Sequence, residues 1–182
     1  MLAASTSLTI FALAISIGTC PNPHSLVSKI LSELNIKNNI KLAEKIYREE
    51  SIKNFKLIKL YPTVAETLKF LKKKKFKIGI ITSKEKIRTL KLIKRFKLKF
   101  DFVICPEKGK PGKPNPHLIN KLKKTYKIKK KSIYYLGDTI IDYKFAKNSK
   151  INFIFCKYGY GKMNKKTTEF KKFNEIIHYL NI

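Results

Sequence analysis

Two of the three aspartates in this 182-residue chain, Asp138 and Asp142, stand four residues apart in "YYLGDTIIDYKFAKNS". They follow an apolar run that ends in glycine, so they straddle the point where a strand gives way to a helix. A spacing of four places both on one side of a first helical turn. Two close carboxylates repel unless a cation lies between them, and an oxygen-only ligand set completed by water suits Mg²⁺. Two further polar features precede them in the chain. Thr82 and Ser83 end the apolar run "FKIGIITS", and Lys113 sits in "EKGKPGKPNP", the one loop rich in Gly and Pro. Thr82 offers a hydroxyl, Lys113 a compact positive charge for a phosphate oxygen, and the N–H groups after Thr82 open a helix, a setting that favours anions. Taken singly, each feature also reads as ordinary construction: a Gly-Asp turn with an N-cap, a Thr-Ser cap, a solvated loop lysine.

The elements that must position these residues follow from periodicity. Apolar spacing of three and four predicts helices at "HSLVSKILSELN" and "IKLAEKIYREESIK". A third helix is predicted in "YPTVAETLKFLKKKK", with Thr63 and Glu66 forming a capping box. Then "FKIGIIT" reads as a buried strand, "KEKIRTLKLIKRF" as a helix and "FDFVIC" as a strand. "NPHLINKLKKTY" is a helix with Asn115 as cap and Pro116 in the first turn. "SIYYLG" is a strand, "TIIDYKFAKNS" a helix, "NFIFCKY" a strand and "FNEIIHYLN" a closing helix. Alternation of this kind from about residue 60 onward predicts an α/β fold, a Rossmann-like parallel sheet with helices on both faces. In such a sheet ligands bind outside the carboxyl ends of the strands, which is where Thr82, Lys113 and Asp138 fall.

Composition narrows the partners. Lys and Arg exceed Asp and Glu by 41 to 12, giving a net charge of +29. A basic balance of this size raises nucleic acid as a partner. However, only Arg48, Arg88 and Arg95 are arginines, and lysine is spread over every segment, as at Lys72–Lys75 and Lys129–Lys131. The reading is a solvated lysine surface with no specific nucleic-acid site. The cysteines, Cys20, Cys105 and Cys156, are odd in number and widely spaced. They form neither a disulfide framework nor a zinc pattern, which fits a reducing, cytoplasmic compartment. The uncharged start "MLAASTSLTIFALAISIGTC" lacks the basic region of a signal peptide. It is interrupted by Ser, Thr and Gly, so no membrane span is expected. "LTIFALAISIG" reads instead as a buried, central first strand.

The segment from Tyr61 to Ser149 resembles the haloacid dehalogenase-like superfamily, and within it the phosphoglycolate-phosphatase-like branch. "YPTVAETLKFLKKKKFKIGIITSK" is similar to that branch's helix, strand and second motif. "GKPGKPNP" is similar to its third motif, "YYLGDTIIDYKFAKNSKINFIFCKYGYG" to its fourth, and "KYGYG" to the loop after the next strand. The resemblance implies Mg²⁺-dependent hydrolysis of a small phosphorylated metabolite. Thr82, Ser83 and Lys113 would bind phosphate, with Thr82 and Lys113 in catalytic roles, and Asp138 and Asp142 would hold the metal. It also implies a core made of residues 1–20 and 61–182, with residues 21–60 as a shortened helical cap. The family's first motif carries two aspartates that flank one residue at the end of the first strand, followed by Gly-Thr. This chain has no aspartate before Asp101 and no glutamate before Glu33. Either Ile15 and Ile17 stand in their places, before Gly18-Thr19, or Ala12 and Ala14 do. Ser16, Thr19 and Cys20 are nearby without an evident base. Three readings follow: a phosphatase by lineage, a catalytically dead relative that still cradles phosphate or a partner, and a misread or truncated N-terminus of an active phosphatase.

Overall fold

The computed structural model describes residues 10–13, 40–127, 129 and 132–182. They fall into two compact units, one of β1 (Ile10–Leu13) with the chain from Tyr61 to Ile182, the other the described part of Ile17–Leu60. In the second unit, α1 (Ile40–Lys53) runs into a 3₁₀ turn at Asn54–Leu57. The two are tied where the Asn54 amide donates to the Glu50 carbonyl at 2.9 Å. The predicted helix at "HSLVSKILSELN" lies outside the described residues.

The first unit is the α/β domain. Its elements in chain order are α2 (Val64–Lys73), β2 (Lys77–Ile81), α3 (Lys86–Arg95), β3 (Phe102–Ile104), α4 (His117–Tyr126), β4 (Ile133–Gly137), α5 (Ile140–Ser149), β5 (Asn152–Cys156), β6 (Thr168–Phe170) and α6 (Glu175–Tyr179). The strands form one parallel sheet in the order β3-β2-β1-β4-β5-β6. This is the doubly wound order in which the chain reverses direction beside β1, the switch point where ligands bind. β1 is central, between β2 and β4, as its uncharged sequence predicts. Ala12 is paired with Gly79 on one side and Tyr135 on the other. Position 12 therefore lies inside the ladder, three residues short of the level of Asp138. Ala14, Ile15, Ile17 and Gly18 to Cys20 lie outside the described residues.

Strands buried on both faces must be apolar throughout. Ile78, Ile80 and Ile81 of β2 and Ile133, Tyr135 and Leu136 of β4 are all at most 1% exposed. They pack with Leu118, Ile119 and Leu122 of α4 and Phe145 and Ala146 of α5, each large side chain contributing roughly 1.5–3 kcal/mol by leaving water.

Two local expectations are corrected and one strand is added. Thr63 does not form a capping box with Glu66. Its backbone is left-handed at φ 65°, and its side chain makes no cap hydrogen bond. The helix after Asn115 begins at His117, with Pro116 at the cap position, although the Asn115 side-chain oxygen still accepts the His117 N–H at 3.0 Å. A sixth strand, β6, pairs with β5 at the edge of the sheet. Only Phe170 of its three residues is buried, too little for a periodic signal.

Candidate functional site

Asp138 follows β4 directly, and its chain neighbours explain why the polypeptide accepts a nearly buried carboxylate there. The loop after β5 folds back so that the Tyr160 N–H donates to Asp138 Oδ2 at 3.1 Å. A Cβ at Gly159 would overlap the Asp138 carboxylate, and one at Gly161 would overlap its backbone carbonyl. The glycines of "KYGYG" are therefore a requirement of this close approach. Asp138 is 2% exposed and Asp142 3%.

Asp142 is held from three directions. It is the third residue of α5, and with Thr139 it forms a full capping box. The Asp142 N–H donates to Thr139 Oγ1, and Asp142 Oδ2 accepts the Thr139 N–H at 3.2 Å and its hydroxyl at 2.6 Å. Asp142 Oδ1 lies 2.6 Å from the Lys113 ammonium and 3.0 Å from the Tyr135 hydroxyl. Lys113 is 9% exposed at its side chain, so the ion pair is nearly dry, a setting in which the partners' attraction must offset a large desolvation cost.

Lys113 also lines a small cleft of about 10 Å³, together with Thr82, Ser83, Glu107, Gly112 and His117. That volume is roughly the space of one water molecule. Thr82 closes β2's end: its N–H donates to the Ile104 carbonyl, and its hydroxyl accepts the Lys84 N–H at 3.1 Å. The helix that follows starts at Lys86 with Glu85 as its cap. The N–H groups beside Thr82 therefore belong to a bend rather than to a helix terminus, which corrects the sequence expectation. Lys110, the neighbouring lysine in the same loop, pairs instead with Glu107 on an exposed surface. So Thr82, Ser83 and Lys113 border one cleft, and Lys113 joins that cleft to Asp142.

Sequence reasoning missed Tyr135, Thr139 and His117. The spacing Thr139-x-x-Asp142 matches the capping-box pattern and was legible. Nothing in "SIYYLG" distinguishes Tyr135 from Tyr134, and His117 carries no signal beyond following Pro116. The Nδ1 of His117 is buried without a hydrogen-bond partner.

For a metal, the donor set matters. Both Asp142 oxygens are already taken by Lys113, Tyr135 and Thr139. Asp138 Oδ2 accepts the Tyr160 N–H. Among the described residues no three His, Cys, Asp or Glu side chains converge as a metal cluster. One or two carboxylates with waters and phosphate oxygens fit the sparing protein ligation that Mg²⁺ accepts. No thiol substitutes as a nucleophile among the described cysteines. Burial pushes the Cys156 thiol up to about 12 and raises that of Cys105, and a protonated thiol is inert.

Comparisons with known proteins agree with this architecture. A phosphorylated carbohydrates phosphatase from Thermotoga maritima is 26% identical over 69% of this chain and 60% of its own length. A phosphoglycolate phosphatase from Aquifex aeolicus is 24% identical over 80% of this chain and 68% of its own. The chain thus spans less than two-thirds of the first of these relatives. A haloacid dehalogenase-like family hydrolase from Streptococcus pneumoniae superimposes with a TM-score of 0.73 at 18% identity, covering 96% of this chain and 99% of that one; at that identity it speaks for the fold. The haloacid dehalogenase-like hydrolase profile matches residues 20–156, a stretch that holds β2 to β5, the Thr82–Lys113 cleft and both site aspartates. A parallel sheet in this order, with these side chains at its carboxyl ends and this match, makes the chain a member of the haloacid dehalogenase-like hydrolase family.

Proposed function

We propose that this chain holds the phosphate of a small phosphorylated metabolite in the cleft at the carboxyl ends of β2, β3 and β4, and that it turns the ester over poorly. The observation that carries the reading is the placement of Lys113. It is a buried ammonium paired to Asp142, and it borders the same cleft as Thr82 and Ser83. Lys113 supplies the charge. Thr82 accepts the Lys84 N–H through a lone pair, which leaves its O–H to donate to a phosphate oxygen. Ser83 adds a second hydroxyl.

Asp138 and Asp142 would hold Mg²⁺, Asp142 while also anchoring Lys113. Mg²⁺ when bound supplies charge neutralisation at a phosphate oxygen. Residues 21–60 would be the family's short helical cap in this reading, and the buried, unbridged Cys105 and Cys156 favour a reducing, cytoplasmic setting. Among the described residues no helix is long and apolar enough to cross a membrane.

Turnover is the weak part, because no aspartate in the sequence precedes Asp101. The family's chemistry forms an aspartyl-phosphate on a first-strand carboxylate. Losing a nucleophile costs on the order of 10⁴- to 10⁶-fold in turnover where such losses have been measured. The test is hydrolysis of p-nitrophenyl phosphate with Mg²⁺, expected to match a buffer control. Robust Mg²⁺-dependent activity that disappears in Asp138→Ala contradicts this reading. Position 12 sits mid-ladder, so Ile15→Asp with Ile17→Asp is the pair expected to raise Mg²⁺ binding, and Ala12→Asp with Ala14→Asp is not.

A further inference from the structure

Tyr135 is an unusual residue for its place. It is fully buried in the centre of β4, and its ring packs edge-on against Phe145 at 5.0 Å among Leu118, Leu122 and Ile133. Phenylalanine would fill that space. A hydroxyl taken there from water costs free energy unless it is hydrogen-bonded. The Tyr135 oxygen lies 3.0 Å from Asp142 Oδ1, 3.2 Å from the Lys113 ammonium and 3.4 Å from the Ile81 carbonyl. A phenol has one proton and two lone pairs. It therefore donates to Asp142, with the Ile81 carbonyl as the longer alternative, and accepts from Lys113.

The consequence falls on the lysine. An ammonium on a four-carbon stem ordinarily rotates freely. Here one N–H is directed to Asp142 at 2.6 Å and a second to Tyr135. Fixing two of three N–H bonds sets the direction of the third. We propose that Tyr135 is a positioning residue of this site: its hydroxyl, anchored in the sheet beneath the cleft, locks the Lys113 ammonium in one orientation for an anionic ligand. This rests on the reading of Lys113 as a phosphate-binding residue, and the test separates the two.

The first readout is the ¹H–¹⁵N ammonium resonance of Lys113, assigned by its loss in Lys113→Met. In the unmodified protein it is protected from exchange. In Tyr135→Phe, which keeps the ring on Phe145, exchange speeds up about tenfold or the signal vanishes. The second readout is the dissociation constant of inorganic phosphate at fixed ionic strength. Tyr135→Phe weakens it by about five- to tenfold, the worth of one ordinary hydrogen bond. The same substitution in a Lys113→Met background changes it by less than about twofold, because the hydroxyl acts through the lysine. A Lys113 resonance with unmodified exchange in Tyr135→Phe overturns the proposal. So does a loss of phosphate affinity that is equal with and without Lys113, which marks a purely structural hydroxyl. If the resonance depends on Tyr135 but phosphate binding ignores Lys113→Met, the positioning of Lys113 stands and the phosphate reading of the cleft falls.

Discussion

The two ends of the sheet each bury an aspartate against lysine, and they use the pair differently. At the amino ends, Asp101 precedes β3. Its Oδ2 accepts the Ile78 N–H at 2.8 Å, and its Oδ1 meets Lys72 at 2.8 Å and Lys77 at 3.5 Å. Its carbonyl accepts the Tyr126 hydroxyl at 3.2 Å. Every partner belongs to an element of the fold, and the two lysines are 35% and 40% exposed. The carboxylate fastens β3 to β2 and to the end of α2, and the backbone carbonyl of the same residue ties in the end of α4. At the carboxyl ends, Asp142 is paired to a lysine that comes from a loop, is itself nearly buried, and faces a cleft shared with Thr82 and Ser83. The same two residue types therefore make a rivet at one end and a charged site at the other. The difference lies in where the cation comes from and what else it borders.

The comparison is broken most strongly at Lys113. Lys113→Met leaves Asp142 buried without its cation and is expected to cost about 3 kcal/mol. Lys72→Ala, at the other end, removes a partly exposed partner and costs about 0.5–1 kcal/mol. Urea unfolding of both variants measures the contrast. Gly161→Ala places a Cβ onto the Asp138 carbonyl and is expected to cost about 2 kcal/mol by overpacking, with the lost stability and a displaced Tyr160 amide resonance as the readout.

Asp101→Asn is expected to cost about 1–2 kcal/mol and to leave phosphate binding unchanged. It also alters the acid limb. Burial pushes the Asp101 carboxyl up, but the Ile78 N–H and the Lys72 ammonium outweigh it and hold the group below its usual range. A lowered native value means the contribution is complete above the unfolded value near pH 4 and is lost as pH falls through the native one. The unmodified protein should lose stability below about pH 4 more steeply than Asp101→Asn, measured by unfolding across pH 2–6. The smallest effect separates two threonines. Thr139→Ala removes a working capping box and costs about 1 kcal/mol. Thr63→Ala removes a hydroxyl that caps nothing and changes stability by less than about 0.5 kcal/mol.

Much of the fold was legible because both-face burial leaves uninterrupted apolar runs. "FKIGII", "SIYYLG" and "NFIFC" announce strands whatever surrounds them, and the helices between them repeat at three and four. What was not legible depended on partners distant in sequence. Thr63 and Glu66 match the capping pattern, yet a left-handed backbone at Thr63 overrides it; Thr139 and Asp142 match it less conspicuously and form it. The pairing of Asp142 with Lys113 depends on a loop 29 residues away in the sequence. Lys110 and Lys113 are equivalent in "KGKPGKP", and only the fold sends one to Glu107 and the other to Asp142.

The central claim is that a single buried lysine makes the carboxyl end of this sheet an anion site. Calorimetric titration of inorganic phosphate tests it most directly, at fixed ionic strength, into the unmodified protein, Lys113→Ala and Lys110→Ala. Each variant removes one charge from a chain of net charge +29, so general polyanion attraction falls equally in both. The account predicts one saturable site in the unmodified protein, affinity within about twofold of it in Lys110→Ala, and a loss of at least about tenfold in Lys113→Ala, as for a charge-assisted bond. Equal weakening in both variants, or weakening in Lys110→Ala alone, contradicts it.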